Sequence, residues 1–191
     1  MNRCSWADPH DPMYLAYHDH EWGVPSHDDS HLFEMLVLES FQAGLSWSCI
    51  LHKREAFRSA FDGFDPVAIS RYTEDRVEEL MQNQGIVRNR RKINAAIKNA
   101  EVFLSIQAEF GSFSAYLWGF TEGEVIRYGD GVIRATSPLS DSLSADLKRR
   151  GMTFVGSTIM YAYLQAVGIV DDHEPCCDLY HAERIPLKDK P

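Results

Sequence analysis

Apolar residues recur at helical spacing through most of the chain, and this pattern is the main indication of its secondary structure. Residues that can cap a helix precede several of the apolar runs, such as Asp29 or Ser30 ahead of Leu32. The predicted helices begin near residues 30, 45, 66, 74, 90, 140 and 157. The helix from residue 45 extends towards Phe61, and the last helix extends to Val170.

One segment departs from the helical pattern. Residues 121–137, "TEGEVIRYGDGVIRATS", are predicted to form a loop or a small hairpin with its turn at Asp130-Gly131. No internal repeat or clear linker divides the chain. The pattern therefore predicts an all-α protein forming a single globular unit, 1–191. We expect two helical lobes in it, one over about 30–110 and the other formed by the termini, 1–28 and 138–191.

A charged residue interrupts the helix that begins near residue 30. Glu39 lies at the centre of "HLFEMLVLESFQAGLSWSCIL" (31–51), which otherwise has the composition of a buried helix. Burying a lone carboxylate costs several kcal/mol unless a partner compensates its charge. Glu39 is therefore either satisfied within the core, by backbone N–H groups or by His or Arg, or it faces a ligand.

The composition is that of a folded protein, with 45% hydrophobic and 12% aromatic residues. No apolar run approaches the roughly 18 residues that a membrane-spanning helix needs. The N-terminus, "MNRCSWADPHDP", has no signal-peptide core, and the four cysteines show no disulfide-framework spacing. These features favour a cytoplasmic protein that does not enter a membrane.

The net charge of −9 argues mildly against nucleic acid, but the distribution of charge matters more than the sum. The segment "QNQGIVRNRRKINAAIKNA" (82–100) contains no acidic residue, and its basic residues are Arg88, Arg90, Arg91, Lys92 and Lys98. A second basic cluster, 148–150, ends a predicted helix. Those side chains belong either to a DNA-binding face or to a helix C-terminus, where cations are favourable.

Two predicted helices flank the basic segment and are joined by a short turn that contains Gly85. Gly85 can take a positive φ, and the free N–H groups at the start of the second helix can bind phosphate. Arg88, Arg90 and Arg91 would add charge without recognising sequence. The arrangement is typical of a helix-hairpin-helix module that holds the DNA backbone, although an ordinary αα-hairpin has a similar pattern.

Cysteine and histidine residues at the two ends of the chain suggest a metal site. His173 and Cys177 have the spacing of half a zinc site, and Cys4 with His18 could supply the other half. Such a set of four ligands fills a tetrahedral zinc shell, so the site would be structural. Cys176 is an equally reachable thiolate on spacing alone.

Several blocks of the sequence resemble one known family in order and in content. They are "YHDHEWG" (17–23), "LFEMLVLESFQAGLSW" (32–47), "QNQGIVRNRRKI" (82–93) and "KRRGMTFVGSTIMYAYLQAVGIVDDH" (148–173). Together with "MNRCSW" at the start, they resemble the constitutive bacterial 3-methyladenine DNA glycosylase I family over nearly the whole chain. Two departures are visible. Ser40 stands where the family often has glycine, which could reshape the pocket wall, and the tail beyond Cys177 is idiosyncratic.

The resemblance implies a helix-hairpin-helix glycosylase fold, excision of 3-methyladenine from DNA and one structural Zn²⁺ per chain. The family's zinc ligands carry over to Cys4, His18, His173 and Cys177, so that zinc would tether the N- and C-terminal segments. The family's His-x-x-x-Cys spacing, counted from His173, places the last ligand at Cys177 and not at Cys176.

The resemblance also gives roles to the turn that follows Glu39. In the family, Gln42, Gly44 and Leu45 belong to a turn that enters DNA when the target base is taken out of the stack. Gly44 would permit close approach of the backbone, and Leu45 is an apolar wedge of the kind that enters base steps. The alternative is a plain helix–helix turn with Leu45 buried.

By the same resemblance, aromatic side chains line a pocket for the extruded base. Trp47 and Tyr17 are the main candidates for contact with the base, and the further candidates are Tyr14, Trp6 and Trp22. Trp22 could equally be part of the core. Glu39 would accept from the exocyclic amino group of adenine and oppose the positive charge of the methylated ring, so it is the predicted catalytic residue.

The predicted reaction needs little chemical assistance from the protein. N3-methylation makes the adenine a cationic and good leaving group, so positioning and electrostatics would suffice. Residues 85–100 contain no Asp or Glu, and no lysine is an obvious Schiff-base nucleophile. We therefore expect a monofunctional, monomeric enzyme that acts on double-stranded DNA containing alkylated adenine and releases free 3-methyladenine.

Two rival functions come from other classes of protein. A non-catalytic DNA-binding protein would need the basic segment but neither Glu39 nor the aromatic cluster, so their coexistence favours the enzyme. A zinc hydrolase would need a metal with an open position, and a four-ligand site has none. The sequence also lacks the His-Glu-x-x-His motif.

Overall fold

The computed structural model describes residues 1–128 and 132–180. This part of the chain is mostly helical, as the sequence predicts. The elements up to the middle of the chain are α1 (Pro12–His20), α2 (Asp29–Gln42), α3 (Trp47–Leu51), α4 (Arg54–Ala60), a 3-10 turn (Asp62–Phe64), α5 (Pro66–Ile69), α6 (Glu74–Gln82) and α7 (Arg90–Phe110). They are followed by α8 (Phe113–Gly119), β1 (Ile126–Arg127), α9 (Pro138–Arg149), α10 (Ser157–Ala166) and β2 (Val170–Asp171).

The helix starts follow local capping chemistry. Asp28 caps α2 by accepting from the N–H of Ser30 at 3.0 Å, one residue earlier than the sequence indicates. Sequence analysis did not predict α1 or α8. For α1 a signal was available, because Asp11-Pro12 pairs an N-cap with a proline in the first turn, as Asp65-Pro66 does for α5.

The single helix predicted from residue 45 to Phe61 is wrong, because the chain breaks at 52–53 to give α3 and α4. The break directs Arg54 inwards, where its Nε donates to Glu34 Oε1 at 2.6 Å and its Nη1 donates to Glu21 Oε2 at 2.7 Å. Apolar spacing alone predicts a continuous helix. The observed break also lets Arg54 pair with two partly buried carboxylates.

The last predicted helix is shorter than expected. It ends at Ala166, because Gly168 takes a positive φ of 75° and the chain then enters β2. β2 pairs in parallel with β1, so that Ile126 lies opposite Val170. The predicted turn at Asp130-Gly131 lies outside the described residues.

Helix α2 is the centre of the molecule. Its residues from Leu32 to Phe41 are all buried, and it packs against α3, α7, α8 and α10. The apolar core around it is continuous and includes residues from Cys4 to Cys177. Among the described residues, no helix combines the length and apolar character that crossing a bilayer requires. The buried part of α2 therefore holds its polar side chains, among them Glu39, inside the molecule.

Candidate functional site

A cavity of about 300 Å³ lies beside the C-terminal half of α2. Its walls come from the N-terminal segment, α1 and the residues that follow it, α2, the start of α3 and α10, and also from residues 132–134 and 172–174. The side chains that sequence analysis assigned to the base all line it: Trp6, Tyr14, Tyr17, Trp22, Glu39 and Trp47. The fold therefore gathers these residues around one space.

Among the described residues that line this cavity, Glu39 is the most buried ionisable group. It is 3% exposed, and its side chain forms no hydrogen bond with any residue of 1–128 or 132–180. Burial raises the pKa of Glu39 to about 8. The nearby carboxylate also adds to the effect of burial in raising the pKa of Tyr17. A carboxylate without a protein partner is suited to a cationic ligand that donates hydrogen bonds.

The aromatic side chains form two connected groups around the cavity. Tyr17 and Trp47 have ring centroids 5.2 Å apart. Trp6 contacts Tyr14 and Trp22 edge-on, with centroid distances of 5.4 and 4.8 Å. The indole Nε1 of Trp47 is buried and has no hydrogen-bond partner among the described residues. The walls thus offer flat aromatic faces to a ligand.

Trp22 connects the cavity to the histidines. It is 8% exposed, it stacks with His18 at 6.3 Å and it contacts His173 edge-on at 4.7 Å. Trp22 therefore belongs to the core, the alternative given in the sequence analysis, and also lines the cavity.

The segment Gln42–Leu45 is a tight turn next to the cavity. Leu45 N donates to Gln42 O at 2.7 Å, Ala43 has φ −47° and ψ 114°, and Gly44 has φ 78°. This is the geometry of a type II turn, which favours glycine at its third position. Leu45 is 39% exposed, so the alternative of a buried Leu45 is wrong. The turn presents an apolar side chain to solvent beside Glu39.

The connection between α6 and α7 differs from the prediction at Gly85. The expected positive φ does not occur there. The absence of a side chain matters for packing instead, because a Cβ at Gly85 would lie 2.9 Å from the Cβ of Ala56. The N–H of Gly85 donates to Asn83 Oδ1 at 2.8 Å, which closes a local turn. Gly85 therefore allows α4 and this connection to pack closely.

The three arginines of this connection are in different situations. Arg88 and Arg91 are exposed, and within the described chain no hydrogen bond or ion pair involves either side chain. Arg90 donates to Glu74 and to Glu78 on α6. The free positive charge beside the start of α7 therefore comes from Arg88 and Arg91.

The second basic cluster, 148–150, is engaged largely in ion pairs. Arg149 and Arg150 both donate to Asp146, and Arg150 also donates to Glu109 at 2.6 Å. Of the two alternatives for this cluster, these contacts favour stabilisation of the helix C-terminus over a DNA-binding face.

Cys4, His18 and Cys177 bring their potential ligand atoms within 4.8 Å of one another, and all three are buried. Cys176 is exposed and is not part of this group. The Nδ1 of His18 hydrogen-bonds Asp19 at 2.9 Å, which is the partner that a metal-binding histidine usually has. Burial lowers the pKa of His18, which favours the neutral imidazole that binds metals. The cluster is suited to hold a metal ion.

His173 lies next to this cluster, with its ring centroid 5.3 Å from that of His18. Its Nδ1 hydrogen-bonds Asp171 at 2.8 Å, and its Nε2 is buried with no partner within the described part of the chain. A histidine with one nitrogen held by a carboxylate and the other left unpaired has the form of a metal ligand. The structure therefore brings three of the four predicted ligands together, and His173 lies beside them but outside that cluster.

Sequence reasoning missed part of the cavity wall. Gln165, Asp172 and Glu174 line it, as do residues 132–134. The position of Asp172 next to His173 was the available signal, since a predicted metal ligand places its neighbours in the same region. Ser40 is buried and is not among the residues that line the cavity, so it does not form the pocket wall as expected.

The chain is similar to known proteins over most of its length. Residues 6–181 match the methyladenine glycosylase family. DNA-3-methyladenine glycosylase 1 of Escherichia coli (strain K12) is 44% identical over 188 residues, which are 94% of this chain and 97% of the relative. A crystal structure of a 3-methyladenine DNA glycosylase I matches with a TM-score of 0.90 and 45% identity, covering 94% of this chain and 100% of that one. A variant of such an enzyme, solved in complex with 3-methyladenine, matches with a TM-score of 0.89 and 36% identity, covering 93% and 97%.

Proposed function

The chain belongs to the methyladenine glycosylase family, and from that membership we propose that it is a 3-methyladenine DNA glycosylase. It hydrolyses the N-glycosidic bond between 3-methyladenine and DNA after taking the base out of the stack. The observation that carries this proposal is the buried Glu39, which has no hydrogen-bonding partner among the described residues and lines an aromatic cavity.

Recognition of the base falls to Glu39 and the aromatic walls. The ionised carboxylate accepts a hydrogen bond from the exocyclic amino group and opposes the positive charge of the methylated ring. This one residue therefore recognises both the adenine and its methylation. Tyr17 and Trp47 make the main ring contacts, and Tyr14, Trp6 and Trp22 complete the enclosure. Stacking on an aromatic ring is worth about 1–3 kcal/mol per base, and the quadrupole of the ring adds attraction for a cation.

The chemical step needs little from the protein. The bond between the sugar C1′ and N9 breaks, and the electron pair stays on the base and neutralises its positive charge. Water adds at C1′ and loses a proton to solvent, which leaves a hydroxyl group on the sugar. Glu39 acts by orienting the base and by its electrostatics. No lysine is among the described residues that line the cavity, which supports hydrolysis without a Schiff base and without strand cleavage.

Binding of double-stranded DNA is assigned to two elements. The turn with Gln42, Gly44 and Leu45 enters the duplex, and Leu45 occupies the space that the extruded base leaves. The pair α6–α7 acts as a helix-hairpin-helix module. In it Gly85 permits the close packing, the start of α7 presents N–H groups, and Arg88 and Arg91 contact phosphate. Arg90, which the sequence also assigned to DNA, is held by Glu74 and Glu78 instead.

A structural Zn²⁺ completes the proposal, with one ion per chain. Cys4, His18, His173 and Cys177 would hold it, and it would supply a cross-link between the two ends of the chain. Four protein ligands leave the ion no role in base release. We further propose that the protein works as a monomer in the cytoplasm.

The decisive experiment measures free bases released from methylated duplex DNA. Wild type should release 3-methyladenine but not 7-methylguanine, and it should leave the strands uncut before any heat or alkaline treatment. Glu39→Gln keeps the shape of the side chain and removes its charge, so it should lose binding or rate while remaining folded. If wild type binds DNA but releases no base, the protein is a DNA-binding protein without glycosylase activity.

A further inference from the structure

Lys92 stands out because it is a buried cation held by backbone carbonyls. Its side chain lies in the first turns of α7 and the residue is 6% exposed. The Nζ donates to Phe41 O at 2.7 Å and to Ala43 O at 2.6 Å. Among the described residues no carboxylate forms an ion pair with it. Although its sequence neighbours Arg88 and Arg91 are exposed, Lys92 points into the protein.

The two carbonyls belong to the C-terminal end of α2. The last carbonyls of a helix have no partner within the helix and carry the negative end of its dipole. An ammonium group from another helix satisfies both needs here. The burial that this requires lowers the pKa of Lys92, so the contact is maintained against a desolvation cost. A lysine that served only as surface charge would not be placed there.

The position of this contact links two parts of the proposed DNA-binding surface. Ala43 is the second residue of the turn that carries Leu45, and Glu39 lies one helical turn before that turn. Asn89, three residues before Lys92, caps the start of α7, which we assign to the DNA backbone. The lysine thus joins the segment that holds phosphate to the segment that enters the duplex.

We propose that Lys92 is a positioning residue that fixes the turn Gln42–Leu45 to the helix pair α6–α7, so that binding of the DNA backbone places Leu45 for insertion. This inference rests on the proposed glycosylase function. Lys92 does not touch the base, and its effect is on extrusion rather than on the chemical step.

The test compares two duplexes in single-turnover base release. In one, 3-methyladenine is paired with thymine. In the other it lies in a single-nucleotide bulge, where extrusion requires little energy. Lys92→Met should release the paired base about 10- to 100-fold more slowly than wild type, because two charge-assisted hydrogen bonds are lost. On the bulged substrate the loss should shrink to about 3-fold or less. Lys92→Gln, which keeps a donor, should be intermediate.

Control measurements separate positioning from simple loss of stability. Val102→Ala removes buried apolar volume from the same helix, away from the turn, and should release both substrates at the wild-type rate when folded. Binding of free 3-methyladenine should be unchanged in Lys92→Met, because the cavity is intact.

Equal losses on the two substrates, or lost binding of the free base, would overturn the inference and make Lys92 a purely structural residue. The same conclusion would follow if neither Lys92→Met nor Lys92→Gln folds. A wild type that releases base from neither duplex would instead refute the proposed function.

Discussion

Burial raises the pKa of Glu39 to about 8 from an ordinary value of 4.5. Between these pH values the unfolded state ionises while the folded state stays neutral. Below about pH 4.5 the carboxyl is neutral in both states, and its full contribution to the free energy of unfolding is present. That contribution is lost as the pH rises to about 8. A cation beside the carboxylate has the opposite effect, because an opposite charge lowers its pKa. In the proposed function, capture of a cationic base is thus coupled to loss of a proton from Glu39.

This coupling predicts the pH dependence of base release. The value of kcat/KM reports the free enzyme, so it should rise with pH until about pH 8 as Glu39 ionises. The value of kcat reports the complex, in which the cationic base lowers the pKa, so it should level off at lower pH. Glu39→Gln should be slower at every pH and lack both inflections. A wild-type kcat/KM that is constant from pH 5 to pH 8 would contradict this role.

Some residues of the site could be predicted from the sequence, and others could not. Glu39 was visible because a carboxylate interrupts a pattern of apolar residues. The contacts of Lys92 and Arg90 were not visible, because their partners lie on other helices. Sequence places both residues in one basic segment, whereas in the structure Lys92 holds the end of α2 and Arg90 pairs with α6. Spacing along a chain cannot report such long-range pairs.

At the level of elements, the turn after α2 is the part of the fold to which we assign insertion into the duplex. Gly44 has φ 78°, and a Cβ placed there would meet no atom within 4 Å. Gly44→Ala would therefore introduce backbone strain and no steric clash, at a cost of about 1–2 kcal/mol. The strain would fall on the residue next to Leu45. Relaxation of the turn would then move the wedge away from the cavity.

Gly44→Ala should slow release of paired 3-methyladenine by about 10-fold or more, since small misplacements of a positioning element are costly. The matched control is Gly63→Ala, because Gly63 has φ 66° and a Cβ added to it would likewise meet open space. Both variants should lose similar stability, measured as a fall of roughly 2–6 °C in Tm. Only Gly44→Ala should lose activity. Similar activity in the two variants would show that the turn geometry is unimportant for base release.

The elements themselves were largely predictable where apolar spacing is strong. α2, α6 and α7 follow the pattern. α1 was missed because it buries only Tyr17 and His18, and α8 because it is short. The break between α3 and α4 serves ion pairs with Glu21 and Glu34, whose burial the local sequence does not reveal. β1 pairs with a strand more than 40 residues later in the chain, a type of contact that local patterns cannot specify.

For the whole molecule, the net charge of −9 has to be reconciled with binding of a polyanion. Several basic side chains are already engaged by other groups of the protein and so do not add free positive charge to the surface. Lys92 satisfies carbonyls, Arg54 pairs with Glu21 and Glu34, and Arg150 pairs with Glu109 and Asp146. Arg88 and Arg91 remain near the start of α7. DNA would therefore be held at this face by few phosphate contacts and be disfavoured by the rest of the surface.

The two ends of the described chain meet at the cluster of Cys4, His18 and Cys177. The N-terminal segment up to α1 and the segment after β2 contain little regular structure of their own. A metal ion there would replace the packing that these segments lack, in the way that structural zinc does in small domains. The division into two lobes stays a prediction, and its second lobe depends on this cross-link.

Two neighbouring cysteines provide a matched test of the cross-link. Cys177 is buried in the cluster, whereas Cys176 is exposed outside it. Cys177→Ser should reduce zinc content well below one ion per chain and lower Tm by roughly 5–10 °C. Cys176→Ser should leave both values at those of wild type. Metal content by mass spectrometry and thermal unfolding, each with and without a chelator, check the prediction.

The measurements with a chelator distinguish a structural role of the metal from a role in base release. If zinc is a cross-link, chelation should lower the Tm of wild type and of Cys176→Ser, and it should have little further effect on Cys177→Ser. Base release measured below the lowered Tm should stay close to its original rate, because the cavity around Glu39 keeps its walls while the protein is folded. Loss of release in a fully folded, chelated protein would contradict a purely structural role. Equal zinc loss from both serine variants would contradict the choice of Cys177 as the ligand.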